Sequence, residues 1–249
     1  MKTMLVMAAL ALTSTIAVAQ NEETRNVSDF NSIKVENGIE VIYTHNDTES
    51  VKVKTTDNNA MNYVVTERSG KELRIYINNN AKDAAVNVAK NIQVYVSDNN
   101  TASITAKTGA TVKVTNQINT PKLSITLKTG STFTGNINAT EICDIKAASG
   151  SAFKGSIITE EFKAIITGGA YVALNGHAEK SEVLCNGGTL TGDKFTCEKA
   201  EVWAKRMSSV ALHVTDSVMA TTDTSSAISY SGKPNKIHLG DDNFAIRKN

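Results

Sequence analysis

The feature that most restricts the fold of this chain is a repeat with a period of about 20 residues in its second half. A doublet of small residues recurs at intervals of 17 to 21 residues, and an apolar residue follows each doublet within three positions. The doublets are Thr108-Gly109, Thr129-Gly130, Ser149-Gly150, Gly168-Gly169, Gly187-Gly188, Ser208-Ser209 and Ser225-Ser226. The apolar residues after them are Val112, Phe133, Phe153, Val172, Leu190, Val210 and Ile228. Such a period predicts an array of similar units that bury their apolar faces against one another.

The residues before each doublet alternate between apolar and polar, which is the period of a β-strand. Aligning the units on their doublets places inward side chains in three rows. The rows are Ala102, Leu123, Cys143, Phe162, Ser181 and Ala200; Ile104, Ile125, Ile145, Ala164, Val183 and Val202; and Ala106, Leu127, Ala147, Ile166, Cys185 and Ala204. If each unit is one coil of a parallel β-solenoid, equivalent residues stack about 4.8 Å apart and form apolar ladders inside. The doublets then turn the corners, where the backbone needs positive φ or little side-chain volume.

Other repetitive or strand-rich folds fit this pattern less well. A propeller blade needs about 40 residues, and a β-sandwich does not keep a regular period in register. The signature of leucine-rich repeats is absent, as is the six-residue apolar period of a left-handed hexapeptide solenoid. Because parallel strand connections are overwhelmingly right-handed, the sequence predicts an all-β fold, a right-handed parallel β-helix with coils of about 20 residues.

The segment 20–100 has strand and turn patterns but lacks the doublets. Its predicted strands are Ile33–Val35, Ile39–Tyr43, Val51–Lys54, Tyr63–Thr66, Leu73–Ile77 and Ile92–Val96, and Asn37-Gly38 is one of several turn sequences between them. No flexible linker follows, so we expect a less regular N-terminal β section that caps the solenoid. The regular coils are expected over 101–249, with a C-terminal cap that includes Ser231-Gly232-Lys233-Pro234 and Phe244-Ala245-Ile246.

The first 19 residues predict export. A lysine is followed by a short apolar run, and Ala17-Val18-Ala19 places small residues where signal peptidase cleaves, so 1–19 is interpreted as a signal peptide. A membrane anchor is the alternative, but Thr13, Ser14 and Thr15 interrupt the apolar run well short of the roughly 20 residues that a span needs. We expect a mature chain without a transmembrane segment, located at the cell surface, in the periplasm or outside the cell.

Three cysteines, Cys143, Cys185 and Cys197, cannot all pair within one chain. None of their spacings is the Cys-x-x-Cys of a zinc ribbon, and their neighbours are apolar. We therefore expect small buried side chains with free, unreactive thiols.

Charge and side-chain patterns give little support for catalysis or for a charged ligand. Lys and Arg total 26 against 25 Asp and Glu, so no nucleic-acid partner is expected. The carboxylates Asp144, Asp193 and Asp216 fall on different parts of their coils, and Asp241-Asp242 is interpreted as a solvated turn. The histidines His45, His177, His213 and His238 do not have metal-ligand spacing. We expect no catalytic residues, no metal site and no cofactor.

The single tryptophan, Trp203, is the one residue that suggests a binding site. It lies between Val202 and Ala204, which the alternation places inward, so its side chain should point outward. An outward aromatic ring can stack on a sugar or anchor a protein partner, although partial burial by neighbouring side chains is more common.

Several short motifs, taken in order, resemble one known family. The stretch Phe30 to Val41, the following Ser50-Val51-Lys52-Val53, the doublet coils and the closing Tyr230-Ser231-Gly232-Lys233-Pro234 are similar to the head GIN domain family of autotransporter-type adhesins. This resemblance runs from Phe30 to Ile246 and implies a right-handed β-helix of pectin-lyase-like shape, without assigned catalytic residues, in a secreted or surface protein of Gram-negative bacteria.

The expected function is therefore that of an exported, non-catalytic, adhesin-like protein that presents a long β-helical surface to a glycan, matrix or protein partner. Two alternatives stay open at the level of sequence: a polysaccharide lyase or hydrolase of pectin-lyase-like fold, and a scaffold protein of the cell envelope.

Overall fold

The computed structural model describes residues 21–78, 92–240 and 246–248. The predicted signal peptide 1–19, the Asp241-Asp242 pair and Phe244-Ala245 lie outside the described residues. The described part contains seventeen strands and one short helix. They are β1 Asn21–Arg25, β2 Ser32–Val35, β3 Glu40–His45, β4 Ser50–Thr55, α1 Asn58–Met61, β5 Val64–Ser69, β6 Glu72–Ile77, β7 Ile92–Asp98, β8 Ser103–Ala106, β9 Thr111–Leu127, β10 Thr132–Ala148, β11 Ala152–Thr167, β12 Tyr171–Asn186, β13 Thr189–Lys205, β14 Ser209–Thr222, β15 Ala227–Ser231, β16 Lys236–Leu239 and β17 Ile246–Lys248.

The long strands β9 to β14 are successive coils of a solenoid, each paired in parallel with the next. The predicted rows are in register: Ile145 lies between Ile125 and Ala164, and all three side chains are buried. The predicted fold class is thus confirmed, with about seven stacked coils. The glycine-containing doublets set this register, because each returns the chain to the same corner before the next coil begins.

One member of the predicted rows was wrong. Ala102 is exposed and the preceding Thr101 is buried. The Asp98 carboxylate accepts hydrogen bonds from the Thr101 amide at 2.7 Å and from its hydroxyl at 2.7 Å, which turns Thr101 inward just before β8 begins. The inward alternation of β8 therefore starts at Ile104, two residues later than the doublet spacing indicates.

The interior is a set of side-chain ladders along the solenoid axis. Phe133 and Phe153 occupy one rung each, with parallel rings whose centroids are 5.2 Å apart. Their ladder continues to Val112 on one side and Val172 on the other. Burial of such a side chain contributes about 1.5–3 kcal/mol, and stacking of an aromatic pair adds about 1 kcal/mol. The apolar residues predicted to follow the doublets therefore form one face of the core.

Most corners are tight turns in which two consecutive residues have positive φ, whereas at Gly187-Gly188 only Gly187 does. At one corner Thr129 has a φ of 54° and Gly130 a φ of 68°, as in the type I′ turns that connect neighbouring strands. The Gly130 amide donates to the Ser149 carbonyl of the next coil at 3.0 Å. Equivalent bonds join the earlier corners, so the turns form a hydrogen-bonded corner ladder that begins at Asn37-Gly38.

The predicted doublet Ser208-Ser209 is not a corner. Arg206 and Met207 have the positive φ angles there, 57° and 61°. Ser208 follows the turn and is buried, and its hydroxyl donates to the Lys205 carbonyl at 2.6 Å. The Ser225-Ser226 doublet likewise lacks positive φ. Small residues thus occur at two places in the unit, in the turn and directly after it, and sequence spacing alone does not separate the two.

The corner ladder ends at Asp223. Its carboxylate accepts the Arg206 amide at 2.7 Å, whereas the equivalent amide of the preceding corner, that of Gly187, donates to the Lys205 carbonyl at 3.0 Å. Ser225 and Ser226 accept the next two amides, those of Met207 and Ser208. The hydrogen bonds that the Asp223 carboxylate itself accepts, first from the Arg206 amide and then from Ser226 and Ser225, lower the pKa of Asp223 to about 2.

The N-terminal strands are stacked out of chain order. The coil made by β2 and β3 lies between the β6–β7 coil on one side and the β8–β9 coil on the other, with all contacts parallel. Antiparallel strands then close this end: β5 pairs with β6, β4 with β7, and β1 with β4. The division of the chain at residue 100 remains a prediction.

All three cysteines are buried and free, as predicted. Burial raises the pKa of Cys143 to about 12 and that of Cys197 to about 11, which keeps both thiols protonated and unreactive. Within the described ranges, no helix has the length and apolar character needed to cross a membrane.

Candidate functional site

Trp203 points outward from β13, as the alternation predicts. Its inward neighbours Val202 and Ala204 are buried, whereas the indole is half-buried. In the stack it lies between Leu184 of the preceding coil and Thr221 of the following one. The ring therefore lies on an outer face of the solenoid, partly covered by its ladder neighbours.

Trp203 continues an apolar line across three coils. Ile165, Leu184 and Trp203 are consecutive rungs of one outward ladder. Ile165 is 41% exposed and Leu184 is 44% exposed. With rungs about 4.8 Å apart, these residues, which we call the Trp203 stripe, extend roughly 10 Å along the solenoid axis. Met219 is also exposed and is aligned with Glu201, the outward residue next to Trp203 on the same strand.

Sequence reasoning missed Ile165 and Leu184 because it followed the inward rows and did not compare the outward positions between them from coil to coil. Leu184, for example, lies directly between Val183 and Cys185, both buried. The signal that could have found it is the alignment itself, since Leu184 and Trp203 occupy the same position of successive units.

Polar side chains border the Trp203 stripe on both sides. One outward row contains Lys163, Glu182 and Glu201, and a shallow groove of about 200 Å³ separates this row from the stripe. The groove is lined by Asp144, Lys146, Lys163, Ala164, Ile165, Glu182 and Leu184. The row on the other side contains Asn186 and Lys205. The stripe is thus an apolar surface between two lines of hydrogen-bonding groups.

Several charged residues beside the Trp203 stripe lack the ion pairs that charged residues form in earlier coils of the same face. In the earlier coils the charges are paired within the protein: Lys146 lies 3.1 Å from Asp144, and Lys34 lies 3.2 Å from Glu36. Within the described part of the chain, Glu182, Glu201 and Lys205 form no ion pair. Their donors and acceptors are available to a ligand at the stripe.

The histidines and carboxylates do not assemble a catalytic centre among the described residues. His213 Nδ1 lies 2.8 Å from the Ser231 hydroxyl on the adjacent coil. A nucleophilic serine also needs its histidine to be oriented by a third group, and no described carboxylate is hydrogen-bonded to His213. The described residues also contain no group of three or more His, Cys, Asp or Glu side chains that could hold a metal ion.

Most of this chain matches the model of one known protein family. A family model described as "putative auto-transporter adhesin, head GIN domain" matches residues 29–151 and again 140–234, which together span most of the chain. The chain belongs to the head GIN domain family. None of the curated proteins matches it.

Solved structures show the same fold for this head GIN domain chain. The crystal structure of a "putative adhesin" from Parabacteroides distasonis ATCC 8503 is 17% identical, with a TM-score of 0.82 over 93% of this chain and 97% of that one. A second "putative adhesin", from Parabacteroides merdae ATCC 43184, is 15% identical, with a TM-score of 0.77 over 92% and 96%. A "putative lipid binding protein" from Parabacteroides distasonis ATCC 8503 is also 15% identical, with a TM-score of 0.74 over 92% and 96%. At these identities the likeness is one of fold.

Proposed function

We propose that this head GIN domain protein is an exported, non-catalytic, adhesin-like protein that holds a glycan of a cell surface or matrix against the Trp203 stripe. The observation that carries the proposal is the stripe itself: an exposed apolar line ending at a tryptophan, bordered by hydrogen-bonding side chains of which Glu182, Glu201 and Lys205 form no ion pair among the described residues. The head GIN domain family, described as adhesins, supports a binding role.

A neutral glycan matches the chemistry of this face better than a charged polymer. A sugar ring has apolar C–H faces that stack on an indole and hydroxyl groups at its edges that both donate and accept hydrogen bonds. Glu182 and Glu201 accept on one side of the stripe, while Asn186 and Lys205 donate on the other. Because the flanks carry both signs of charge, the surface selects for hydrogen-bonding capacity and not for net charge.

The shape of the face also favours an extended partner. The stripe and its groove are shallow and continue across coils, whereas small-molecule sites enclose most of their ligand. Weak contacts repeated over several sugar units would give useful avidity. The predicted signal peptide 1–19 supports a location at the surface of a Gram-negative cell, in its periplasm or outside it.

The test is binding of the purified protein to a glycan array, repeated with Trp203→Ala. We expect glycan signals that fall roughly fivefold to tenfold in the variant, because a stacked aromatic contact contributes about 1–1.5 kcal/mol. Tyr171→Ala is the matched control, since Tyr171 is also an exposed aromatic residue but lies in another outward row. An equal loss of glycan signal in both variants, or no loss in either, would contradict the assignment of the site. Binding of proteins but not of glycans would show that the partner is a protein.

The absence of turnover is tested on the same ligands. After prolonged incubation with any bound glycan, we expect the released reducing ends and unsaturated products to stay at the level of the blank. Product formation that is lost in His213→Ala or Ser231→Ala would instead establish an enzyme.

A further inference from the structure

The two ends of the solenoid differ in how they protect their sheet edges. At the N-terminal end, the outermost strands β1 and β5 bear charged residues, among them Glu22, which forms ion pairs with Lys52 at 3.1 Å and Lys54 at 2.9 Å. Charged edge strands prevent pairing with other chains. At the C-terminal end, β16 pairs with β14 on one side, and within the described part of the chain no strand pairs with its other side.

The last coil leaves apolar side chains of the core rows uncovered. Ile237 and Leu239 continue the rows of Val218 and Ala220. Val218 and Ala220 are 2% and 0% exposed, whereas Ile237 is 45% exposed and Leu239 is 38% exposed. Terminal units of repeat proteins usually have a polar outer face, because an apolar end associates with other molecules. This end therefore has the character of an interface.

Backbone geometry defines which groups face outward at this edge. The Gly240 amide donates to the Ala220 carbonyl at 2.9 Å, so Gly240 and, by alternation, His238 direct their amide groups toward β14. The amide and carbonyl groups of Ile237 and Leu239 then point away from β14, toward the free side of the strand.

We propose that two copies of this chain join at the C-terminal end, with β16 of each copy pairing antiparallel to β16 of the other. In the register that places His238 opposite His238 of the second copy, Ile237 of each chain lies opposite Leu239 of the other. Both residues direct their backbone groups to the free edge, so each such pair exchanges two hydrogen bonds, as antiparallel sheets require. The core rows then continue across a twofold axis into the second solenoid.

A second copy is favoured over other occupants because this strand is complementary to itself. Aliphatic side chains meet aliphatic side chains on the inner face, and Lys236 lies opposite Gly240 rather than a like charge. Head-to-tail stacking is disfavoured, because the N-terminal edge strands present charges. A closed pair with twofold symmetry also leaves the charged N-terminal end of each copy facing solvent.

The register is tested by disulfide formation in His238→Cys. In the proposed pairing the two residues form a non-hydrogen-bonded pair, with Cα atoms about 4.5 Å apart, which lies within disulfide range. Mild oxidation should convert most of the full-length protein to a covalent dimer on a non-reducing gel. The matched control is Ile158→Cys, since Ile158 is 50% exposed on a lateral face and should stay monomeric. The three native cysteines are buried.

The association itself is measured by analytical ultracentrifugation over a concentration series. We expect a monomer–dimer equilibrium whose Kd rises by about tenfold or more in Leu239→Lys, because an ammonium group would be buried against the partner, while Ile158→Lys leaves it unchanged. Circular dichroism confirms that each variant is folded. A monomer at every concentration would overturn the proposal. That result would also be obtained if the C-terminal residues of the same chain covered the free side of β16. A dimer that does not cross-link through position 238 would overturn the register.

Discussion

Asp223 shows how one side chain can complete a repeating hydrogen-bond pattern. Along the corner ladder the amides point toward the C-terminal end and most donate to a carbonyl of the next coil, whereas the Arg206 amide donates to the Asp223 carboxylate. The arrangement is comparable to the N-cap of a helix, where an acidic side chain accepts amides that have no backbone partner.

This role predicts a specific loss of stability in acid. Because the pKa of Asp223 is about 2 in the folded protein, below its value of about 3.9 in an unfolded chain, the carboxylate stabilises the fold above about pH 4. That contribution is lost as the pH falls toward 2. Thermal melting of wild type and Asp223→Asn at constant ionic strength should give a difference that shrinks across this range. Asp193→Asn, at an exposed carboxylate, should follow wild type, and parallel curves for wild type and Asp223→Asn would contradict the role.

The inward and outward positions of the coils can be tested with one pair of substitutions. Ile145 is fully buried between Ile125 and Ala164, so Ile145→Asp would place a carboxylate in an apolar ladder and destabilise by several kcal/mol, roughly 3 or more. Lys128 is exposed at the corner between β9 and β10, and Lys128→Asp should change stability by less than about 0.5 kcal/mol. Chemical denaturation measures both, and equal losses would refute the assignment.

At the scale of single elements, the corner at Arg206-Met207 is the strained member of its ladder. Earlier corners have glycine as the second residue, whereas Met207 has a φ of 61° and a side chain that is 81% exposed. Non-glycine residues in this conformation cost about 1–2 kcal/mol, which exceeds the entropic cost of a glycine.

Met207→Gly should therefore raise the free energy of unfolding by roughly 0.5–1 kcal/mol, because it removes strain and no buried contact. Met219→Gly is the matched control. Met219 is also an exposed methionine, with 43% of its surface accessible, but it lies within β14, where a glycine weakens the strand. Differential scanning calorimetry should show opposite shifts of the melting temperature, and a lower melting temperature for Met207→Gly would contradict the strain argument.

The regular elements could be predicted because their pattern is local and repeated. The rows through Ile145 and the apolar residues after each doublet were correct, since doublet and strand recur together in every unit. The exceptions have non-repeating causes. The Asp98 carboxylate turns Thr101 inward in place of Ala102. The last corner, which has no glycine, lies at Arg206-Met207 instead of Ser208-Ser209.

The candidate site could be predicted only in part. Trp203 was identified because it is the single tryptophan and occupies an outward position, but the stripe depends on side chains brought together from three coils. The same limit applies to the N-terminal section. Its strands were recognisable from alternation, but without a repeat nothing local specifies that β2 pairs with β6 and β8.

At the scale of the whole molecule, the stack combines two kinds of connectivity. From β8 onward, each coil lies on the coil that precedes it in the chain, so most contacts join residues about 20 positions apart. The N-terminal end does not follow this rule, because the β2–β3 coil is inserted between two coils that come later in the sequence.

That insertion has a consequence for how the chain folds as it is synthesised. The regular coils can be added one at a time behind the growing end, but the β2–β3 segment, made early, must wait until residues up to Val114 have emerged before both of its neighbours exist. Its apolar strands remain without partners through that interval, when pairing with another nascent chain competes. We therefore expect the first strands of the chain to be among the last in their region to be enclosed, and the N-terminal end to be the slowest part of the molecule to assemble.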